Sequence, residues 1–207
     1  STAHVYASPL VGRISEETCP KNLHPYAASH LSGEYAVLAA NDRREIQGIV
    51  LRLSNAFGMP VHKDANCWML LVNDLCRQAV RSRKMILRSS GKQQRDFIPI
   101  KAISRVVGQF IGNASDSCVE GVFNVGLGAS DTVLSMANLI QQRCLQILGY
   151  EPRLYYDCDN EPTELRKLVY KSSHLESLGI SADTYSGIDE IDELVLFCRE
   201  TFGSNGD

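Results

Sequence analysis

The sequence lacks the features of a membrane protein, a secreted protein or a nucleic-acid-binding protein. No apolar run approaches the roughly 18 residues that a membrane-spanning helix needs, and no charged segment followed by an apolar stretch marks a signal peptide at the start. The formal net charge of −3 offers no basic surface for nucleic acid. We therefore expect a soluble cytoplasmic protein with no membrane span and no nucleic-acid partner.

Paired cysteines and metal-binding motifs are also missing. The seven cysteines are scattered along the chain and include no C-x-x-C pair. This pattern is typical of reduced thiols in the core of an intracellular protein, and it favours neither a disulfide framework nor a zinc site. Four histidines, His4, His24, His62 and His174, show no metal spacing with a carboxylate or a thiol. We expect ordinary polar roles for them and no bound metal.

The chain does have the composition and periodicity of an α/β protein. Its 207 residues, 44% of them hydrophobic and 22% charged, suit one sizeable core. Short apolar runs predict strands at residues 3–7, 48–53, 85–87, 97–100, 121–126, 153–157 and 167–170. Amphipathic stretches predict helices at 26–41, 66–81, 100–111, 130–148 and 188–201, before a polar tail at 203–207 that we expect to be disordered. Strands that alternate with helices indicate a largely parallel sheet.

The segment Pro25-Tyr-Ala-Ala-Ser-His30 carries the clearest chemical signal. Tyr26 and His30 are four positions apart, so on a helix their side chains lie one above the other. A tyrosine, with an ordinary pKa of about 10, acts as a base near neutral pH only where a neighbouring cation favours the phenolate. Thr2 could place a second hydroxyl beside it. The alternative is a structural helix with a half-buried tyrosine and an exposed histidine.

Five segments, in this order, resemble the back half of the extended short-chain dehydrogenases/reductases that act on nucleotide sugars, the NAD-dependent epimerase/dehydratase family. They are Ser1-Thr-Ala-His-Val-Tyr6, Pro25–His30, Leu51–Gly58, Gln94–Ile98 and Gly121–Gly126. The resemblance implies an α/β fold, a partial Rossmann-like parallel sheet of the late strands with a smaller α/β substrate-binding lobe. It also implies a division into residues 1–54, a remnant of the dinucleotide-binding domain, and residues 55–207, the substrate-binding lobe interleaved with the last sheet strands.

The same resemblance implies roles for individual residues. Tyr26 is expected to remove a proton from a sugar hydroxyl as hydride passes to NAD or NADP, while Thr2 orients that hydroxyl. His30 stands where the family has a lysine that holds the nicotinamide ribose, so weaker catalysis or a different pH dependence is expected. Asn55 is expected to bind substrate, and Arg95 to bind the nucleotide diphosphate through its planar guanidinium. A surface salt bridge with the next residue is the alternative for Arg95.

Other departures from the family bear on cofactor binding. The glycine-rich loop that binds the cofactor pyrophosphate is absent, and Gly126-Leu-Gly-Ala-Ser130, which resembles it superficially, favours a plain turn. Where many members have Arg-Pro-Gly-Asp, the chain has Glu161-Pro-Thr-Glu164. We expect cofactor binding to be impaired if the front half is truly absent. The strand at 3–7 would then be an open edge, which favours a homo-oligomer or association with a missing N-terminal segment.

Two functions are consistent with this pattern. One is epimerase, dehydratase or reductase chemistry on a nucleotide sugar of the surface-polysaccharide type, which the Thr2–Tyr26 pair, Asn55 and Arg95 favour. The other is a non-catalytic module derived from that fold, which binds a sugar nucleotide or a protein. The missing glycine-rich loop and Glu161 favour this second function for the chain as it stands.

Overall fold

A computed structural model of the chain describes residues 1–112, 119–157, 167–182 and 187–203. The strands in these ranges are β1 Gly12–Ile14, β2 Ile49–Leu53, β3 Asn55–Phe57, β4 Lys84–Ile86, β5 Gln94–Pro99, β6 Gly121–Val125, β7 Ser130–Thr132, β8 Arg153–Tyr155 and β9 Leu168–Tyr170. The helices are α1 Pro25–Asp42, α2 Leu71–Ser82, α3 Ile100–Gly112, α4 Val133–Leu148, α5 Ser173–Ser177 and α6 Gly187–Phe202. Across the described ranges, no helix is both long enough and apolar enough to cross a membrane.

The strands pair mostly in parallel. β2 lies beside β6, with Ile49 opposite Gly121 and Leu53 opposite Val125. The pairs β1–β9, β3–β5 and β4–β8 are also parallel, and β7 adds to β5 in the antiparallel direction. Helices pack against these strands, with α2, α4 and α6 sharing one apolar core and α3 and α5 covering β6 in another. The predicted α/β class with a Rossmann-like parallel sheet is confirmed.

Residues 3–7 do not form the predicted strand. Ala3–Val5 form one turn of 3-10 helix, and Thr2 caps it, because its Oγ1 accepts a hydrogen bond from the His4 N–H at 3.2 Å. Thr2 itself makes a parallel bridge to Leu53. Ala3 and Val5 are buried, as the apolar run suggested, but the side-chain cap offers the backbone an alternative to sheet pairing. The expected open strand edge at 3–7 is therefore wrong.

Two helix starts also differ from the prediction. α2 begins at Leu71 rather than near residue 66, because the Trp68 ring packs against Phe202 at a centroid distance of 5.0 Å and its Nε1 donates to the Lys63 carbonyl at 2.7 Å. α4 begins after β7, where Thr132 caps it, and ends as expected at Gly149, which has a φ of 75°. Of the expected disordered tail, residues 204–207 lie outside the described residues.

The three thiols of Cys76, Cys144 and Cys198 are buried together among α2, α4 and α6. Burial raises the pKa of both Cys144 and Cys198 to about 12, so these side chains are protonated and unreactive at neutral pH. These three cysteines lie in the core, as expected. Cys19 is exposed and Cys67 half-buried, while residues 118 and 158 lie outside the described ranges.

A buried ion pair joins α1 to β2. Arg52 Nη2 lies 2.6 Å from Glu34 Oε2, and Arg52 Nε bonds both carboxylate oxygens at 3.0 and 3.2 Å. Only 7% of the Arg52 side chain and 2% of the Glu34 side chain are exposed. Arg52 Nη1 also donates to the Tyr6 hydroxyl at 2.9 Å, and that hydroxyl donates to Asn124 Oδ1 at 2.7 Å. These bonds fix the position of α1 relative to the sheet.

Replacing Glu34 by alanine is expected to lower the free energy of unfolding by about 3–5 kcal/mol, because the Arg52 guanidinium then stays buried without its counter-charge. The exposed pair of Arg43 and Glu45, at 2.7 Å, provides the control. Glu45→Ala is expected to cause no resolvable change, since water screens that pair. Urea unfolding followed by circular dichroism measures both variants, and equal losses would contradict the prediction.

Candidate functional site

An open cavity of about 490 Å³ lies between the start of α1, the β2–β3 junction, β5 and the residues before α2. We call it the central cavity. Thr2, Tyr26, Asn55 and Arg95 all line it. Four of the five residues that the sequence singled out therefore meet in one place, although they are up to 93 positions apart in the chain (2 to 95).

Strand geometry places the two substrate-binding candidates. Asn55 begins β3 directly after β2, and its Nδ2 donates to the Asp96 carbonyl of the neighbouring β5 at 3.2 Å. Arg95 Nη1 lies 3.4 Å from Asn55 Oδ1. Side chains alternate between the faces of a strand, so Arg95 lines the cavity while the Asp96 carboxyl is fully buried. Among the described residues Arg95 has no salt-bridge partner, so the surface salt bridge that was the alternative for Arg95 is not formed there.

Arg95 contributes a positive charge to a cavity that has no carboxylate among its described lining residues. Burial lowers the pKa of the Arg95 guanidinium, which shows that the cation is partly desolvated. Its bond to the neutral amide of Asn55 is long and does not offset the charge. A guanidinium in this situation gains most from an anion such as a phosphate or a carboxylate, which can accept two parallel hydrogen bonds.

Tyr26 lies in the first turn of α1 at the cavity. The helix begins there because Pro25 occupies its first position and His24 Nδ1 accepts a hydrogen bond from the Tyr26 N–H at 3.2 Å. Tyr26 is 51% exposed, which agrees with the half-buried tyrosine of the structural alternative. Within the described part of the chain, no side chain or backbone group bonds its hydroxyl. That hydroxyl is therefore free to meet a ligand.

His30 lies one turn further along α1, as the spacing predicts. Its ring meets the Tyr26 ring edge-on, with the centroids 4.6 Å apart. It lines a neighbouring cavity of about 420 Å³, together with Ser29, Gly33, Glu34 and the edge of β2, and it is absent from the lining of the central cavity. Tyr26 thus contacts an imidazole that faces a separate space.

His4 is a lining residue that the sequence analysis assigned to an ordinary polar role. Its ring lies edge-on to Tyr26 at a centroid distance of 6.4 Å. Burial first, and then the charges of Arg95 and His24, lower its pKa below the usual value. The signal that could have identified it is its position two residues after Thr2, which places both side chains at the start of the same short turn.

The glycine-rich segment Gly126–Ser130 serves the fold. The Leu127 N–H donates a hydrogen bond to the buried Asp96 Oδ1 at 3.1 Å. This amide is therefore already bonded to a carboxyl group of the chain and does not point at a phosphate site. A Cβ at Gly126 would lie 2.6 Å from Tyr170 Cδ1 and 2.8 Å from Asp96 Oδ1, which explains why glycine stands there. The departure at 161–164 lies outside the described residues. Across those that are described, no group of three or more potential ligands could hold a metal ion.

The Asp96 carboxyl is expected to make stability depend on pH. Burial raises its pKa, and its Oδ2 lacks a partner in the described structure, although Ser54 Oγ donates to Oδ1 at 2.7 Å. The pKa of this carboxyl is therefore higher in the folded protein than the value of about 3.9 expected in the unfolded chain. Its contribution to the free energy of unfolding is fully present below the unfolded-state pKa, and it is lost as the pH rises through the folded-state pKa.

Urea unfolding between pH 3.5 and pH 8 tests this for the wild type, Asp96→Asn and the exposed control Asp42→Asn. The free energy of unfolding of the wild type relative to Asp96→Asn should fall as pH rises above about 4, because only the wild type has a carboxyl to ionise at this site. The Asp42→Asn comparison should show no such fall. A difference that is flat with pH for Asp96→Asn would refute the assignment.

Comparisons with known proteins bear on the family and the fold of the chain. Residues 1–126 match the family described as the NAD dependent epimerase/dehydratase family. The fold is similar to that of a UDP-N-acetylglucosamine 4-epimerase from Methanobrevibacter ruminantium M1, with 22% identity, a TM-score of 0.76, and coverage of 97% of this chain and 62% of that one. It is also similar to a UDP-glucuronic acid 4-epimerase from Bacillus cereus, with 21% identity, a TM-score of 0.78, and coverage of 98% and 60%.

A dTDP-glucose 4,6-dehydratase from Bacillus anthracis str. Ames has 19% identity, a TM-score of 0.71, and coverage of 97% of this chain and 60% of its own. At these identities the similarity shows the fold. The chain spans about three fifths of the length of these proteins, between 60% and 62%. Among curated proteins, no match to the sequence is found.

Proposed function

Because the chain belongs to the NAD-dependent epimerase/dehydratase family, we propose that it forms the substrate-binding and catalytic part of an enzyme that acts on a nucleotide sugar with NAD or NADP. The observation that carries this proposal is the central cavity, in which Thr2, Tyr26, Asn55 and Arg95 share one space. Two hydroxyls that can face a sugar and a cation that can face an anion are the groups such a substrate requires.

The charge of the cavity supports a nucleotide sugar as the substrate class. The similar structures carry the names of enzymes for UDP-linked and dTDP-linked sugars, which share an anionic diphosphate. Arg95 supplies an uncompensated positive charge at the cavity, and Asn55 beside it adds an amide that can bond a hydroxyl or a phosphate oxygen. The fold similarity and the charge thus point to the same class of ligand.

The catalytic groups have separate tasks in the proposed reaction. Tyr26, whose phenol oxygen has no partner in the described structure, would act in its phenolate form and accept the proton of a sugar hydroxyl when the attached carbon is oxidised. Thr2 Oγ1 lies at the cavity wall, where it is held by the His4 N–H, and orients the same hydroxyl. In the reverse step, Tyr26 would return the proton to the sugar oxygen.

The nicotinamide end of the cofactor fits the residues around His30. NAD or NADP, when bound, accepts a hydride and gives it back. The His30 ring contacts the Tyr26 ring edge-on, and its nitrogens are unbonded in the described structure, so they could bond ribose hydroxyls of the cofactor. The imidazole of His30 can thus supply hydrogen bonds where the family has a lysine.

Arg95→Gln tests substrate binding. The variant should bind UDP-glucose at least about tenfold more weakly, because a hydrogen bond to a charged group contributes about 1.5–3 kcal/mol. Isothermal titration calorimetry measures the affinity, with Arg13→Gln, an exposed arginine on β1, as the matched control. Unchanged affinity in Arg95→Gln, or no UDP-glucose binding by the wild type, would count against the proposal.

Tyr26→Phe tests the chemistry in the complete protein. Removal of the hydroxyl should slow turnover of a UDP-sugar by about 10²–10⁴-fold and leave UDP-glucose affinity unchanged, because the hydroxyl transfers the proton and does not hold the substrate.

His30→Lys replaces the imidazole beside Tyr26 by an ammonium group and should shift the pH–rate profile of the complete protein. Binding without any turnover by the wild type would favour the alternative, a non-catalytic module that binds sugar nucleotides.

Finer parts of the sequence-based interpretation stay predictions. They are the role in surface-polysaccharide synthesis, the division at residues 1–54 and 55–207, and association as a homo-oligomer or with an N-terminal segment.

A further inference from the structure

His4 and Arg95 both line the central cavity, although neither was expected to influence the other. Arg95 comes from β5, and His4 from the turn that Thr2 caps. Both line the same space, and Arg95 is close enough for its charge to act on the His4 imidazole. The described lining of the cavity therefore contains one permanent side-chain cation, Arg95, together with the imidazole rings of His4 and His24.

The backbone of His4 is held in place on both sides. Its N–H donates to Thr2 Oγ1 at 3.2 Å, and its carbonyl accepts from Asn22 Nδ2 at 2.7 Å. The ring, in contrast, makes an edge-on contact with Tyr26 and has no hydrogen-bond partner among the described residues. Both ring nitrogens of a well-placed imidazole are thus available to a ligand.

When the cavity holds no anion, the groups around His4 disfavour protonation of its imidazole ring. Burial has the largest effect in lowering the pKa of His4, followed by the positive charge of Arg95 and by His24, which caps α1. Tyr26 contacts the ring from α1, and the described lining residues include no carboxylate that would favour the proton. His4 is therefore neutral near pH 7 in the unliganded protein.

We propose that His4 and Arg95 together form a proton-coupled anion subsite, in which His4 takes up a proton when the anionic part of the substrate binds beside Arg95. This rests on the proposed function and identifies a residue that determines substrate specificity. A bound anion offsets the charge of Arg95 and adds a negative charge of its own near the imidazole. The imidazolium then donates a charge-assisted hydrogen bond that the neutral ring cannot match.

The sign of the pH dependence follows from linkage. Because the anion favours the protonated ring, it binds more tightly as pH falls through the pKa that His4 has in the complex. Affinity decreases as pH rises, until the ring is neutral in both states. Each unit by which the anion raises the pKa of His4 makes the affinity about tenfold higher at low pH than at high pH.

The experiment uses three probes, UDP, UDP-glucose and UDP-glucuronic acid, because the anion could be the diphosphate or a sugar carboxylate. NMR of ¹³C,¹⁵N-histidine-labelled protein follows the His4 ring between pH 5 and pH 8, and loss of its signal in His4→Gln assigns it. Calorimetry in buffers of different ionisation enthalpy measures the protons taken up on binding. His62→Gln, which removes an exposed histidine outside the cavity lining, is the matched control.

The expected result is a rise of the His4 pKa on binding, with proton uptake that disappears in His4→Gln and persists in His62→Gln. A rise with all three probes identifies the diphosphate as the anion, and a rise with UDP-glucuronic acid alone identifies the carboxylate. In Arg95→Gln the unliganded His4 pKa should rise, since the repulsive charge is gone.

Two outcomes overturn the proposal in distinguishable ways. If the probes bind but the His4 pKa and the pH dependence match those of His4→Gln, the subsite is wrong and the proposed function stands. If no probe binds even at pH 5, where His4 is most protonated, the subsite and the proposed substrate class both fail.

Discussion

The buried contact between Arg52 and Glu34 is the interaction on which the arrangement of the cavity depends. It connects α1 to β2, and Tyr6 and Asn124 extend it to the N-terminal turn and to β6. The central cavity is formed by these same elements, with Tyr26 from α1 and Thr2 from the start of the chain. A charged pair in the interior thus determines the positions of side chains that have no contact with it, because it holds their backbones in one register.

Strand alternation divides the chemistry of β5 between two environments. Arg95 lines the cavity, where its charge can meet a ligand. The next side chain, Asp96, is buried and accepts hydrogen bonds from Ser54 and from the turn after β6. Two adjacent residues of opposite charge are therefore kept apart, and neither neutralises the other. This separation leaves the cavity positively charged and lets Asp96 stabilise a turn that resembles a phosphate-binding loop only in sequence.

Part of the fold could be predicted from sequence patterns, because α2 and α3 have a clear apolar repeat, α1 begins with Pro25 and α4 ends at Gly149. The turn at Ala3–Val5 could not, since a single hydroxyl from Thr2 redirects a backbone whose apolar residues suggest a strand. Resemblance brought Thr2, Tyr26, Asn55 and Arg95 to attention, and the structure places them around one cavity. His4 was missed because its importance comes from the Arg95 charge nearby, and distance in space is not visible in a sequence.

The three core thiols have a practical consequence. Cys76, Cys144 and Cys198 lie where α2, α4 and α6 pack together, whereas Cys19 is on the surface. An alkylating reagent at neutral pH reaches Cys19 at once, but it can modify the other three only when these helices separate. The labelling rate of these three side chains therefore reports how often the helices α2, α4 and α6 separate, and no reporter group has to be engineered into the chain.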